Sequence, residues 1–331
     1  MKNYFALIAA AVMAAGSFTV YASEETANSG EADTLQIVTT IFPEYDWAQN
    51  ILGENPGNAE VTMLLNNGVD LHSFQPTADD IMKIATCDMF IYVSGESDEW
   101  VEDALAEATN EEMVVINLLD VLGDKAKEEE LVEGMEGEEE EEAGEGEEEE
   151  ESPEYDEHVW LSLRNTAYLA DHIASSLAEI DAANADAYLG NVEAYKGELA
   201  ALDAEYEEAV SSAEVKTLLF GDRFPFCYLT DDYGLDYYAA FVGCSAKTEA
   251  SFETIIFLAD KVNELSLNSI LTIEGTDHRI AETIRDNTES KEQQILTMDS
   301  MQSITLKNVE AGASYLSIMK ANLEVLKEAL K

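Results

Sequence analysis

The sequence predicts an α/β protein of two (β/α) lobes with mostly parallel sheets, joined by a long rigid helix. Three observations carry this. From Thr34 onward, apolar strand-like runs alternate with helical stretches at βαβ spacing. A second series of the same kind starts near Thr217. Between them, Arg164 to Ala213 has no Pro and is rich in Ala, Leu and Glu. The expected boundaries are 33–182 for the N-terminal lobe, 183–213 for the linking helix and 214–331 for the C-terminal lobe.

In the first series, Leu35–Ile41, Val61–Leu65, Phe90–Val93 and Val114–Leu119 read as strands. Tyr45–Leu52, Ala78–Ala85 and Glu99–Ala108 read as the helices between them. The connector from about Ala183 reads as one helix of some 28 residues, ~42 Å long, stiff rather than hinge-like. The second series runs Thr217–Phe220, Phe226–Tyr233, Tyr237–Val242, Phe252–Leu265, Ile270–Ile273, Ala281–Asn287, Ile295–Met298 and Tyr315–Leu330. IVTTIFP (Ile37–Pro43) and LLFGDRFP (Leu218–Pro225) both run from a strand through a polar turn to Phe-Pro, which suggests two similar halves.

Charge narrows the function. Of 331 residues, 17 are Lys or Arg and 70 Asp or Glu, a net charge of −53. That charge repels a phosphate backbone and an anionic membrane surface, so a nucleic-acid partner is excluded and a cationic ligand is favoured. Met1-Lys2-Asn3, the apolar run Phe5 to Val20 and the small residue Ala22 before an acidic stretch form an expected signal peptide, residues 1–22. The mature protein is then extracytoplasmic, periplasmic or at the cell surface. None of Cys87, Cys227 and Cys244 lies near the cleavage point to carry a lipid.

Glu128 to Glu157 holds 19 Asp or Glu and no Lys or Arg. Such charge density opposes a core and predicts a disordered loop, about 124–155, which either has no specific role or acts as a weak cation sponge. His72 sits in GVDLHSFQPT after a strand; His158 sits in DEHVWLSL where the acidic stretch ends. Both belong on the rim beyond the strands' carboxyl ends, where open α/β sheets bind ligands. His172, on a helix, is expected to be structural or exposed.

These segments resemble the zinc/manganese solute-binding proteins of ABC transporters, whose two motifs are Gly-x-Asp-Pro-His-x-Phe/Tyr-x-Pro-Thr and Asp-Pro-His-x-Trp-Leu. Leu71 and Glu157 stand where the family usually has Pro. The resemblance implies two lobes around an interlobe metal site, with His72 and His158 as ligands. It also implies an ABC permease and its ATPase as partners. The family's third His falls on Arg223, whose guanidinium has no lone pair to offer; Asp222 is an alternative. The resemblance points to Glu274 for the carboxylate ligand. His278, placed in a first helical turn capped by Thr276, is expected to replace the missing His.

The expected set His72, His158, Glu274 and His278 is N₃O and suits Zn²⁺; more carboxylates or a higher coordination number would favour Mn²⁺. Affinity is expected to fall as pH drops through the imidazole range. Cys227 and Cys244 could pair as a disulfide, with thiolate coordination by Cys244 the lesser reading. No nucleophile–base pair stands out, so the expectation is a monomeric receptor rather than an enzyme. The rivals are a metal-dependent extracellular hydrolase and a secreted acidic metal buffer or interaction protein.

Overall fold

A computed structural model describes residues 34–53, 59–137, 154–245 and 249–331. The expected signal peptide and residues 138–153 of the acidic stretch lie outside them. In the N-terminal lobe, β1 (Leu35–Thr39), β2 (Ala59–Met63), β3 (Met89–Tyr92) and β4 (Val114–Asn117) form a parallel sheet of order β2-β1-β3-β4. Helices α1 (Phe42–Leu52), α2 (Ala78–Thr86), α3 (Trp100–Ala106) and α4 (Leu118–Leu122) connect it. Two longer helices follow, α5 (Leu163–Ile180) and α6 (Ala185–Ser212).

The C-terminal lobe repeats the plan. Strands β5 (Thr217–Phe224), β6 (Asp236–Val242), β7 (Ser269–Ile273) and β8 (Gln294–Met298) run parallel in the order β6-β5-β7-β8. Its helices are α7 (Cys227–Tyr233), α8 (Phe252–Glu264), α9 (Arg279–Asn287), α10 (Leu306–Glu310) and α11 (Tyr315–Ala329). In both lobes the chain begins centrally, moves to one edge, then crosses to the other side. The topological switch point therefore lies between β1 and β3 and between β5 and β7, where ligands gather at the strands' carboxyl ends.

Helix α6 spans 28 residues and buries Tyr188, Val192, Tyr195, Leu199, Leu202, Tyr206 and Val210. Their spacing of three or four keeps them on one stripe of the helix. A single apolar cluster includes Ile37 and Phe90 of one lobe with Phe220, Ile273 and Met298 of the other. Buried hydrogen bonds reinforce it: Trp160 Nε1 donates to Ser300 O at 2.8 Å, and Tyr315 Oη donates to Trp160 O at 2.6 Å. This shared core ties the lobes together along their back. Among the described residues, no helix is long and apolar enough to cross a membrane.

The flanks of the acidic stretch differ from the expected disorder. Glu136 N donates to Ala240 O at 2.9 Å and Glu136 O accepts from Val242 N at 3.3 Å, a parallel bridge onto the free edge of β6. The Glu136 carboxylate accepts from Ser251 N and Thr254 Oγ1 at 2.8 and 2.7 Å. An edge strand's unpaired backbone groups capture a neighbouring segment whatever its charge. These contacts hold the base of the stretch against the C-terminal lobe.

Candidate metal centre

His72 lies on the short turn Leu71–Ser73 beyond β2. Asp70 caps this turn, its carboxylate accepting from His72 N at 3.1 Å, while buried Leu71 anchors it. His158 is fully buried and opens the turn Val159–Leu161. The Asp156 carboxylate accepts from His158 N at 2.8 Å and lies 3.1 Å from His158 Nδ1. The two imidazoles, 86 positions apart in sequence, meet with Nε2 to Nε2 at 3.3 Å. His72 Nδ1 is 2.6 Å from Ser97 Oγ and 3.6 Å from Glu157 Oε2. Oxygen partners thus hold both Nδ1 atoms, and both Nε2 atoms face one point.

Cys244 joins them from the other lobe. Among the described residues, His72, His158 and Cys244 form the group whose ligand atoms all lie within 4.8 Å of one another. Gly243 permits the approach: a Cβ there would lie 2.9 Å from His158 Cε1 and 3.0 Å from Phe224 O. Cys244 N donates to the Glu129 carboxylate at 3.3 Å. Cys244 also lines a wide cleft with Glu128, Glu129, Glu130, Glu154 and Glu157.

The electrostatics suit a cation. Burial, followed by the neighbouring His158 ring, holds His72 well below the ordinary imidazole value, so it is neutral and able to coordinate. Burial pushes the Cys244 thiol up, and the carboxylates Glu157, Glu129 and Asp156 push the same way. Burial also raises Glu157, whose Oε2 accepts no hydrogen bond.

The remaining expected ligands go elsewhere. Glu274 accepts from Ser300 N and Ser300 Oγ, both at 2.7 Å, and burial with nearby Asp299 raises it to about 7. His278 is not within a first turn capped by Thr276. It is itself the cap of α9, in the left-handed region at φ 57°, with Nδ1 3.4 Å from Thr276 Oγ1. Neither residue joins the group at His72 and His158. Asp222 accepts from Thr276 Oγ1 at 2.8 Å and Ile273 N at 3.3 Å, stitching β5 to the loop after β7.

Arg223 reaches across the cleft to Asp70 Oδ2 at 2.7 Å. Burial alone would raise Asp70, but the hydrogen bond and charge of Arg223 outweigh it and hold the carboxyl low. Cys227 and Cys244 are free thiols, not a disulfide.

Residues 37–329 match the family model described as zinc-uptake complex component A, periplasmic (ZnuA). The zinc-binding lipoprotein AdcA of Streptococcus pneumoniae is 32% identical over 304 residues, 91% of this chain. The chain spans only 57% of that relative's length. The high-affinity zinc uptake system protein ZnuA of Bacillus subtilis is 29% identical over 323 residues, 96% of each chain. In fold, the Zn(II)-bound ZnuA-like domain of S. pneumoniae AdcA superposes with a TM-score of 0.68 at 27% identity, covering 90% of this chain and 99% of that one.

Proposed function

Because the chain belongs to the periplasmic zinc-uptake component A family, we propose that it captures a divalent metal ion, Zn²⁺ first, outside the cytoplasm for an ABC importer. His72 and His158 are the ligands. The carrying observation is their Nε2 to Nε2 separation of 3.3 Å. Two nitrogens each ~2.05 Å from a tetrahedral Zn²⁺ stand about 3.3 Å apart, so the imidazoles already lie along one edge of that tetrahedron. Zinc binding by AdcA and high-affinity zinc uptake by ZnuA support the same cargo.

The hydrogen bonds also account for the exchange of a proton by a metal. With His158 Nδ1–H donating to Asp156, its Nε2 presents a lone pair, and His72 Nε2–H bridges the gap in the metal-free state. Metal capture moves the His72 proton to Nδ1, where Ser97 Oγ and Glu157 Oε2 stand ready as acceptors. Both histidines belong to the N-terminal part of the chain, and the shared core restrains parting of the lobes. Release to the permease then depends on loosening the C-terminal lobe's cover over the two rings.

Competition titration with a zinc chelator tests this. Wild type should hold one tight Zn²⁺ against the chelator, and His72→Ala or His158→Ala should weaken it by about 100-fold or more. Tight, unchanged binding in both variants would overturn the reading.

A further inference from the structure

We propose that Cys244 is the third protein ligand, supplied from the end of β6 in place of a ligand at Arg223 on β5. The site is then an N₂S centre that selects thiophilic cations such as Zn²⁺ and Cd²⁺ over Mn²⁺. This rests on the two-histidine reading and adds the ligand from the second lobe. The geometry comes first. Cys244 Sγ lies within 4.8 Å of a ring nitrogen of each histidine. A Zn–S bond of ~2.3 Å beside Zn–N bonds of ~2.05 Å needs an N to S edge of about 3.6 Å. At most about 1.2 Å of side-chain movement closes that gap.

Topology explains how one strand substitutes for its neighbour. β5 and β6 are adjacent and parallel, with Arg223 level with Phe241 and Phe224 level with Val242. Their carboxyl ends open onto the same crevice, so either can deliver a side chain to it. Gly243 then lets the backbone after β6 lie against the His158 ring, and Cys244 follows directly. Arg223 acts as a positioning residue: while paired with Asp70, its guanidinium also donates to Ser245 O at 3.5 Å, the residue after Cys244. The competing donors are spoken for, Glu274 by Ser300, Asp222 by Thr276 and Ile273.

Binding is a simple exchange: the Cys244 S–H bond breaks, the proton leaves to solvent, and the sulfur lone pair forms the metal bond. Thiolate ligation favours zinc and its softer relatives, whereas manganese prefers carboxylate, carbonyl and water oxygen.

The test loads the full chain with Co²⁺ and with Cd²⁺ and records near-ultraviolet thiolate-to-metal charge transfer. Wild type and Cys227→Ser should show the band at one equivalent, and Cys244→Ser and Cys244→Ala should lose it. The preference for Zn²⁺ over Mn²⁺ should fall about tenfold or more in both Cys244 variants. Stoichiometric Co²⁺ without the band, or a band that survives Cys244→Ala, would overturn the third ligand while leaving the histidine pair. A band that survives His72→Ala and His158→Ala yet vanishes in Cys244→Ala would keep the thiolate and overturn the histidine reading. No stoichiometric binding in wild type would overturn both.

Discussion

His158 owes its place to a residue that has no side chain. Its ring is wedged so tightly against the backbone after β6 that a methyl at Gly243 would overlap Cε1 from one side while meeting Phe224 O on the other. The backbone oxygen cannot yield without disturbing β5, so the ring must move. Gly243→Ala should therefore cost about 1–3 kcal/mol of stability and weaken zinc by at least tenfold; chemical denaturation and chelator competition measure the two. Unchanged zinc affinity would show that the ring adapts. At this scale, His72 and His158 were legible because each sits in a motif of its own. Cys244 was legible only as the lesser reading, from its place at a strand end, because no motif surrounds it. Its proximity to the histidines arises only when β5 and β6 become neighbours, as where Arg223 pairs with Phe241, and Gly243 lets one end approach.

The linking helix shows where legibility is greatest. No Pro, abundant Ala, Leu and Glu, and apolar residues every three or four positions fixed α6 within two residues of its expected start. The strands were legible for the same reason, since a parallel sheet covered on both faces needs short, continuously apolar runs. What stayed hidden depends on tertiary partners: His278 as the cap of α9, and Glu136 paired with β6. Local charge density could not reveal that a free sheet edge stood nearby.

The same helix carries a simple prediction. Gly190 and Gly197 lie in its exposed interior, and a Cβ at either meets nothing within 4 Å. Ala at both positions should stabilise the protein by about 1 kcal/mol each, through lower unfolded-chain entropy and better helix propensity. The thermal midpoint should rise by a few degrees with zinc binding unchanged. A lower midpoint would mean that α6 needs its glycines to follow the core.

For the whole molecule, net charge and buried carboxyls push stability in one direction with pH. Burial, with Glu157 nearby, raises Asp98 to about 7; burial raises Asp46 to about 6 and Glu44 well above the ordinary carboxylate value. A carboxyl raised in the fold holds its proton more tightly there than in the unfolded chain. Its stabilising contribution is complete below the unfolded value near 4 and is lost as pH climbs through the folded value. His72 has the opposite sign: its contribution is complete only above the unfolded imidazole value of about 6.5, so between pH 6 and 8 it offsets part of the carboxyls' loss without reversing it. From pH 6 to 8 the metal-free protein should therefore lose stability, with Asp98 alone accounting for about 1 kcal/mol. A net charge of −53 adds self-repulsion that salt screens within about 10 Å at 0.1 M. Calorimetry should thus find the thermal midpoint falling across that pH interval and rising with added NaCl at pH 8. Asp98→Asn should flatten the pH slope without abolishing the salt effect, because one term is buried and the other lies on the surface. A midpoint that climbs from pH 6 to 8 would mean that these carboxyls are already ionised in the fold, and salt without effect would mean that the surface repulsion is locally compensated.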